Sequence, residues 1–222
     1  MILITGAAGF FGINATKVLL ETGEKVVALG TSPFPSAVQS FFTEEEQENL
    51  VFCQCDISDQ QKVLDVFENY AIDTVVHAAT VTILGDHERH RERYITSVDA
   101  LGTLNLLEAS RAKGISHFVL VSSSGLYGHH GEGVAPVHET VPIYPGRAKE
   151  VYLACKIYGE MLCQAFQDFG EFKVVIARLG SPYGPWERET RSRKEMSLIY
   201  QLMSMVITGK KAYVYGRDVM RD

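Results

Sequence analysis

Tyr152 and Lys156 stand four residues apart in a stretch of helical periodicity. That spacing puts both side chains on one helix face, within reach of a common ligand. A free tyrosine, with a pKa of about 10, is a poor base near neutrality. An ammonium about 4 Å from the phenol contributes up to about 4 kcal/mol at an effective dielectric of about 20, lowering the phenol by up to about three pKa units before burial subtracts from it. The pair then works as a general base near pH 7. Ser123 closes a β-branched run, where its hydroxyl is placed to hold the substrate oxygen whose proton Tyr152 removes. Tyr-x-x-x-Lys recurs by chance in many helices, so the weight lies in what precedes it along the chain.

What precedes it is Thr5-Gly6-Ala7-Ala8-Gly9-Phe10-Phe11-Gly12, directly after an apolar run that reads as a strand and at the start of a helical pattern. Glycines at 6, 9 and 12 suit a tight turn that passes close to a pyrophosphate, with the helix N-terminus supplying N–H groups. Gly6, Ala8, Gly9, Phe10, Phe11 and Gly12 are the expected contacts. The second strand ends in Gly30-Thr31-Ser32, where an NAD site usually carries an acid for the adenosine ribose. Two hydroxyls and no carboxylate leave NADP open, but no arginine is near in sequence, and the reading leans to NAD. Asp56 and Ile57 follow the third strand at the adenine position, with a turn or helix-entry role for Asp56 equally in play. His77, Ala78, Ala79 and Thr80 leave the fourth strand beside the pyrophosphate, and Val121 and Leu179 complete the expected cofactor wall.

These residues need a frame that gathers strand ends. Strands are expected at 2–5, 25–29, 50–53, 74–77, 117–122 and 173–179, and helices at 10–21, 44–48, 60–69, 89–113, 149–169 and 196–208. The alternation predicts an α/β doubly wound parallel sheet with helices on both faces. Gly23, Gly114 and Gly170 sit where helix C-caps need a left-handed residue. Residues 128–145 read as a loop beside the catalytic group. Residues 1–180 are expected to form the dinucleotide-binding domain and 181–222 the start of a substrate-binding region, which reads as cut short just after a strand at 212–215.

The chain of 222 residues is 46% hydrophobic and 22% charged, enough for one substantial core. Its net charge of -6 gives no bulk attraction to nucleic acid or anionic membrane. Met1 leads straight into Ile2-Leu3-Ile4 without a basic leader, and no apolar run reaches membrane-spanning length, so a soluble cytoplasmic protein is expected. Cys53, Cys55, Cys155 and Cys163 match no zinc framework and read as reduced packing thiols. His129-His130 and His87-x-x-His90 lack partners at ligand spacing, and no metal is expected. Arg188, Arg191, Arg193 and Lys194 flank the single Trp186; a solvated face or loop is favoured there over a phosphate site.

Thr5 to Gly12, Val121-Ser122-Ser123-Ser124-Gly125-Leu126-Tyr127-Gly128, Tyr152 to Lys156 and Arg178-Leu179-Gly180-Ser181-Pro182-Tyr183-Gly184-Pro185 together resemble the extended short-chain dehydrogenase/reductase family, most of all its nucleotide-sugar epimerases. The resemblance covers essentially the whole chain. It implies a Rossmann-type fold, NAD or NADP as cofactor, a sugar or nucleotide-sugar substrate and a homodimer formed through the helices at 89–113 and 149–169. It further implies hydride chemistry for Ser123, Tyr152 and Lys156, a hold of Lys156 on the nicotinamide ribose, and substrate contacts from Ser124, Ser181 and Arg221, the last gripping the nucleotide diphosphate. Three departures stand out: Asp99 replaces a helix-bending Asn, Ser181 replaces an Asn that contacts substrate, and Ser124-Gly125 replaces the acidic residues of the dehydratases. Epimerisation by transient hydroxyl oxidation is therefore expected, with dehydration disfavoured. The alternatives are a net dehydrogenase or reductase of a sugar or sugar acid, and a non-catalytic dinucleotide-sensing protein.

Overall fold

The computed structural model describes residues 1–82, 88–128, 137–143 and 150–211. Six strands, β1 (Ile2–Thr5), β2 (Val26–Gly30), β3 (Leu50–Gln54), β4 (Thr74–His77), β5 (His117–Ser123) and β6 (Lys173–Leu179), form one parallel sheet in the order β3-β2-β1-β4-β5-β6. The helices are α1 (Phe10–Glu21), α2 (Glu44–Glu48), α3 (Gln60–Asn69), α4 (Glu92–Thr96), α5 (Gly102–Lys113), α6 (Val151–Asp168) and α7 (Leu198–Ile207). Each expected strand is present within one residue at its ends. This is the Rossmann order, in which the sheet reverses direction beside β1 and opens a crevice at the carboxyl ends of β1 and β4.

The apolar strands are buried on both faces because successive side chains point to opposite sides. Leu3, Val27, Leu29, Val75, Phe118 and Leu120 face one layer, packed with Val63 and Phe67 of α3, Leu106 and Leu107 of α5, and Cys163 and Phe166 of α6. Ile4, Val26 and Ala28 face the other, with Ile13 and Leu20 of α1 and with Val38 and Phe42. Full burial of each such large side chain stabilises the fold by about 1.5–3 kcal/mol. Gly114 closes α5 at φ 61, as its position predicts, and Gly23 and Gly170 also have positive φ. All four cysteines are free thiols.

The helix expected at 89–113 is not continuous. It forms α4, a widened π-helical turn at Ser97–Leu101, and α5. The cause is Asp99, whose carboxylate leaves the helix to accept from the Val81 N–H at 2.8 Å and the Thr80 hydroxyl at 2.9 Å. The Thr103 hydroxyl donates to the Asp99 carbonyl at 2.7 Å, which satisfies it where the regular ladder is disturbed. The interruption expected of an Asn at this position therefore survives with Asp in its place. Two 3-10 turns, Ser36–Phe41 and Ser124–Tyr127, had no clear periodic signal. The expected strand at 212–215, Arg221, His87, His129, His130 and much of the loop at 128–145 lie outside the described residues. Among those described, no helix is long and apolar enough to cross a membrane.

Candidate active site

The glycine turn between β1 and α1 closes on itself. A Cβ on Gly12 would lie 2.2 Å from the Gly6 carbonyl oxygen, so only glycine lets the helix start there. The Ala7 N–H donates to the Leu29 carbonyl and the Gly9 N–H to the Gly6 carbonyl, fixing the turn against β2. Gly9 caps α1 without a side-chain bond, and the first turn holds no acidic residue. The N–H groups of that turn, which have no intrahelical acceptor, thus present partial positive charge with no carboxylate to answer it. This cradle fits the diphosphate of a dinucleotide. Ala8, Phe10 and Phe11 belong to it, and Gly30 borders it, since a Cβ there would lie 3.9 Å from the Ala8 nitrogen. Thr31 and Ser32 are exposed next to it.

Other residues assigned to the cofactor have their side chains engaged elsewhere. Asp56 accepts from the N–H and hydroxyl of Ser58, a turn role. Ile57 is buried against Gly102 of α5. His77 is turned into the core: its ring pairs with the Thr5 hydroxyl through Nδ1 and the Thr103 hydroxyl through Nε2, both at 2.8 Å. Because the Thr103 proton goes to the Asp99 carbonyl, Nε2 must be the donor and Nδ1 the acceptor. Burial, reinforced by the Lys156 charge, pushes this imidazole down to about 3 and keeps it neutral. The Ala78 and Ala79 N–H groups donate to the Thr5 hydroxyl, so that one oxygen organises the end of β4.

Ser123, Tyr152 and Lys156 converge at the carboxyl end of β5. The Lys156 ammonium donates to the Val121 carbonyl at 2.9 Å and lies 5.7 Å from the centre of the Tyr152 ring. Burial pushes the Tyr152 phenol up to about 12, a hydrogen bond with Ser123 opposes this, the Asp99 charge adds to it, and the Arg193 charge opposes it. Burial thus outweighs the acidification expected from Lys156. Lys156 is itself lowered by burial and supported by the Asp99 charge, while burial raises Asp99 to about 6 against the pull of Lys156. Leu179 pairs with Ser123 across the sheet, Ser124 begins the 3-10 turn, and Ser181 is exposed just beyond β6.

Three supports were not legible in the sequence. Glu88, buried, accepts the Val151 N–H at 3.2 Å and the Tyr152 N–H at 3.1 Å, capping a helix whose own Glu150 provides no side-chain cap. One turn beyond Lys156, Glu160 accepts from the Ser122 hydroxyl and from Arg178, whose Nη2 lies 2.7 Å away, tying α6 to β5 and β6. The third is a strap formed by residues 185–197. Asn14 donates to the Pro185 carbonyl, Trp186 packs edge-on against Phe41 at 5.3 Å, and the Thr82 N–H donates to the Ser192 carbonyl. Trp186 adopts φ 70, a left-handed conformation that costs a bulky residue about 1–3 kcal/mol. The segment is a loop, one of the two readings given for it, and within it Arg188 and Arg193 are half-buried in this packing instead of solvated, while Arg191, over the Tyr94 ring, is exposed. Among the described residues no group of three or more His, Cys, Asp or Glu side chains suits a metal ion.

The pattern of the NAD dependent epimerase/dehydratase family matches residues 2–222. A UDP-glucuronate 4-epimerase of Thermodesulfobacterium geofontis is 28% identical over 96% of this chain and 64% of its own length. A dTDP-glucose 4,6-dehydratase of Streptomyces niveus is 30% identical over 97% of this chain and 62% of its own. The chain therefore spans about three fifths of the length of these curated relatives. Among solved structures, the UDP-glucose 4-epimerase of Thermus thermophilus in complex with NAD superposes with a TM-score of 0.77 at 27% identity, covering 95% of this chain and 64% of that one. The UDP-glucose 4-epimerase of Thermotoga maritima with UDP-glucose gives a TM-score of 0.81 at 23% identity, over 97% of this chain and 66% of that one, a likeness of fold.

Proposed function

The chain belongs to the NAD dependent epimerase/dehydratase family, and on that premise we propose that it is the catalytic part of an NAD-dependent epimerase acting on a nucleotide sugar or related sugar. The observation that carries this reading is the meeting of Ser123, Tyr152 and Lys156 at one strand end, in the same sheet edge as an uncapped, acid-free glycine cradle. Relatives of both reaction types match the chain, so the choice between them rests on its own residues. No carboxylate follows Ser123, where the next residues are Ser124 and Gly125, and this favours epimerisation over the additional proton transfers of dehydration.

The cradle and the strand ends of β1, β4 and β5 would hold the dinucleotide, which when bound would supply the hydride acceptor and then the hydride donor. Ser123 holds the substrate hydroxyl oxygen. Tyr152 would take its proton and later return one to the same oxygen, after the planar ketone has turned over within the site. With its phenol pushed up to about 12, Tyr152 is protonated near neutral pH, so its service as a base needs the positive charge of Lys156 to favour the phenolate that forms. The charge of Asp99 raises the Lys156 pKa against the lowering by burial and so favours the charged lysine.

A panel of nucleotide sugars supplied with NAD or NADP tests the proposal. Isomer formation without net reduced cofactor is the expected result. Accumulation of reduced cofactor in step with a released ketone or acid would replace the epimerase reading with that of a dehydrogenase, and dinucleotide binding without turnover of any sugar would leave a sensing protein. A product lacking the elements of water would overturn the preference against dehydration.

A further inference from the structure

Arg188 is a half-buried cation in an unusual place. One guanidinium nitrogen donates to the Ala8 carbonyl at 2.6 Å and the other to the Trp186 carbonyl at 3.1 Å, and no carboxylate among the described residues pairs with it. Burial alone lowers its pKa, with no acid to offset the effect. Ala8 lies in the glycine cradle, whose helix mouth is positive and also lacks an acid. Arg193 adds a second guanidinium, 5.4 Å from the centre of the Phe10 ring at the start of α1. Glu187 pairs with Arg193 at 2.8 Å and spends its other bonds on Ser197, and Glu189 pairs with Lys194. A half-buried guanidinium beside a positive helix mouth is held there at a cost, and an anion removes that cost.

We propose that Arg188 binds a phosphate of the dinucleotide, closing the cradle from the side of the strap. This rests on the function proposed above. At the end of β2, Gly30, Thr31 and Ser32 provide neither acid nor base; Arg188 is brought from 180 positions along the chain to Ala8, whose nitrogen lies 3.9 Å from where a Cβ on Gly30 would stand. The shared chemistry is a phosphate dianion or diester oxygen accepting charge-assisted bonds. Such a ligand offers two anionic groups: the diphosphate, present in NAD and NADP alike and suited to the helix mouth, and the ribose 2'-phosphate, present in NADP alone and suited to the end of the second strand.

Titration calorimetry with NAD and with NADP on the protein, Arg188→Ala, Arg188→Gln and Arg188→Lys separates the two sources. Trp186, the chain's single tryptophan and two residues from Arg188, gives a second readout through its fluorescence. Arg188 contacts carbonyl oxygens only, so the variants are expected to fold, and circular dichroism checks it. Removing the guanidinium is expected to weaken binding about 10- to 100-fold, with partial recovery in the lysine variant. Equal weakening of both dinucleotides assigns the diphosphate; weakening of NADP alone assigns the 2'-phosphate. If the unmodified protein binds a dinucleotide and the alanine and glutamine variants bind it within about twofold, the inference is overturned while the proposed function stands. If the unmodified protein binds neither dinucleotide, the proposed function itself falls.

Discussion

At the scale of single residues, the Tyr152 oxygen, proposed above to transfer the proton, is the atom whose removal separates chemistry from binding. Tyr152→Phe is expected to reduce turnover by about 100- to 10,000-fold while leaving dinucleotide affinity within a few-fold of the original, since only that oxygen is lost; unchanged turnover in any active assay would end the catalytic reading. Tyr152 and Lys156 were legible in sequence because one helical turn fixes their relation. Asp99, Glu88 and Arg188 were opaque because their partners lie 18, 64 and 180 positions away. Asp99 also carries a pH prediction. Burial raises it to about 6, so it gains a proton as pH falls through that value, and Lys156 then loses the charge that supports it. By linkage the same shift withdraws stability as pH rises from about 4 through the folded value. The profile of kcat/KM should therefore fall by about tenfold per pH unit on the acid side of about 6. In Asp99→Asn, which keeps an acceptor for the Val81 N–H, that limb should be absent; a limb at the same pH in the variant would assign it to another group.

At the scale of elements, periodicity located every strand among the described residues and most helix ends, because the buried faces repeat at 2.0 or 3.6 residues. It failed where a side chain competes with the helix for a distant backbone group. The apolar rhythm of α5 runs on through the turn that Asp99 distorts, so nothing local announced the π-helical segment. The start of α6 is a second instance. Nothing at Glu150 resembles a good N-cap, and the acceptor comes from Glu88 on another segment. Glu88→Ala leaves two buried N–H groups unanswered at the turn that carries Tyr152, at a cost of about 2 kcal/mol, and about 4–8 °C in melting temperature for a chain of this size. The effect on kcat should exceed that on KM, because the helix end aims the phenol, and Glu88→Gln, with one acceptor oxygen, should fall between. A Glu88→Ala protein with the original melting point and kcat would show that the cap positions nothing.

At the scale of the whole molecule, the sheet order follows from right-handed crossovers applied to the six strands, which place β1 and β4 side by side and open the crevice between their ends. The glycine cradle, the Ser123 strand end and the Tyr152 helix then face one edge although they are spread over the chain. What the strand order does not foretell is the strap, which leaves β6 and returns to α1, bringing residues 185–193 against the turn at Ala8. A site assembled from β1, α1, β4, β5, α6 and a returning strap is joined by few local contacts, so a ligand bridging these parts should stabilise the fold as a unit. At about 100 times its dissociation constant a dinucleotide adds about 2.7 kcal/mol, or about 5–11 °C in melting temperature. Gly12→Val, which drives a side chain into the Gly6 carbonyl, should lower the melting point by itself and also abolish the ligand's increment. The increment is the informative quantity, because a purely structural turn would lose stability in the variant yet show no shift with ligand in either protein. Equal ligand shifts in the original and in Gly12→Val would place the dinucleotide away from the glycine cradle.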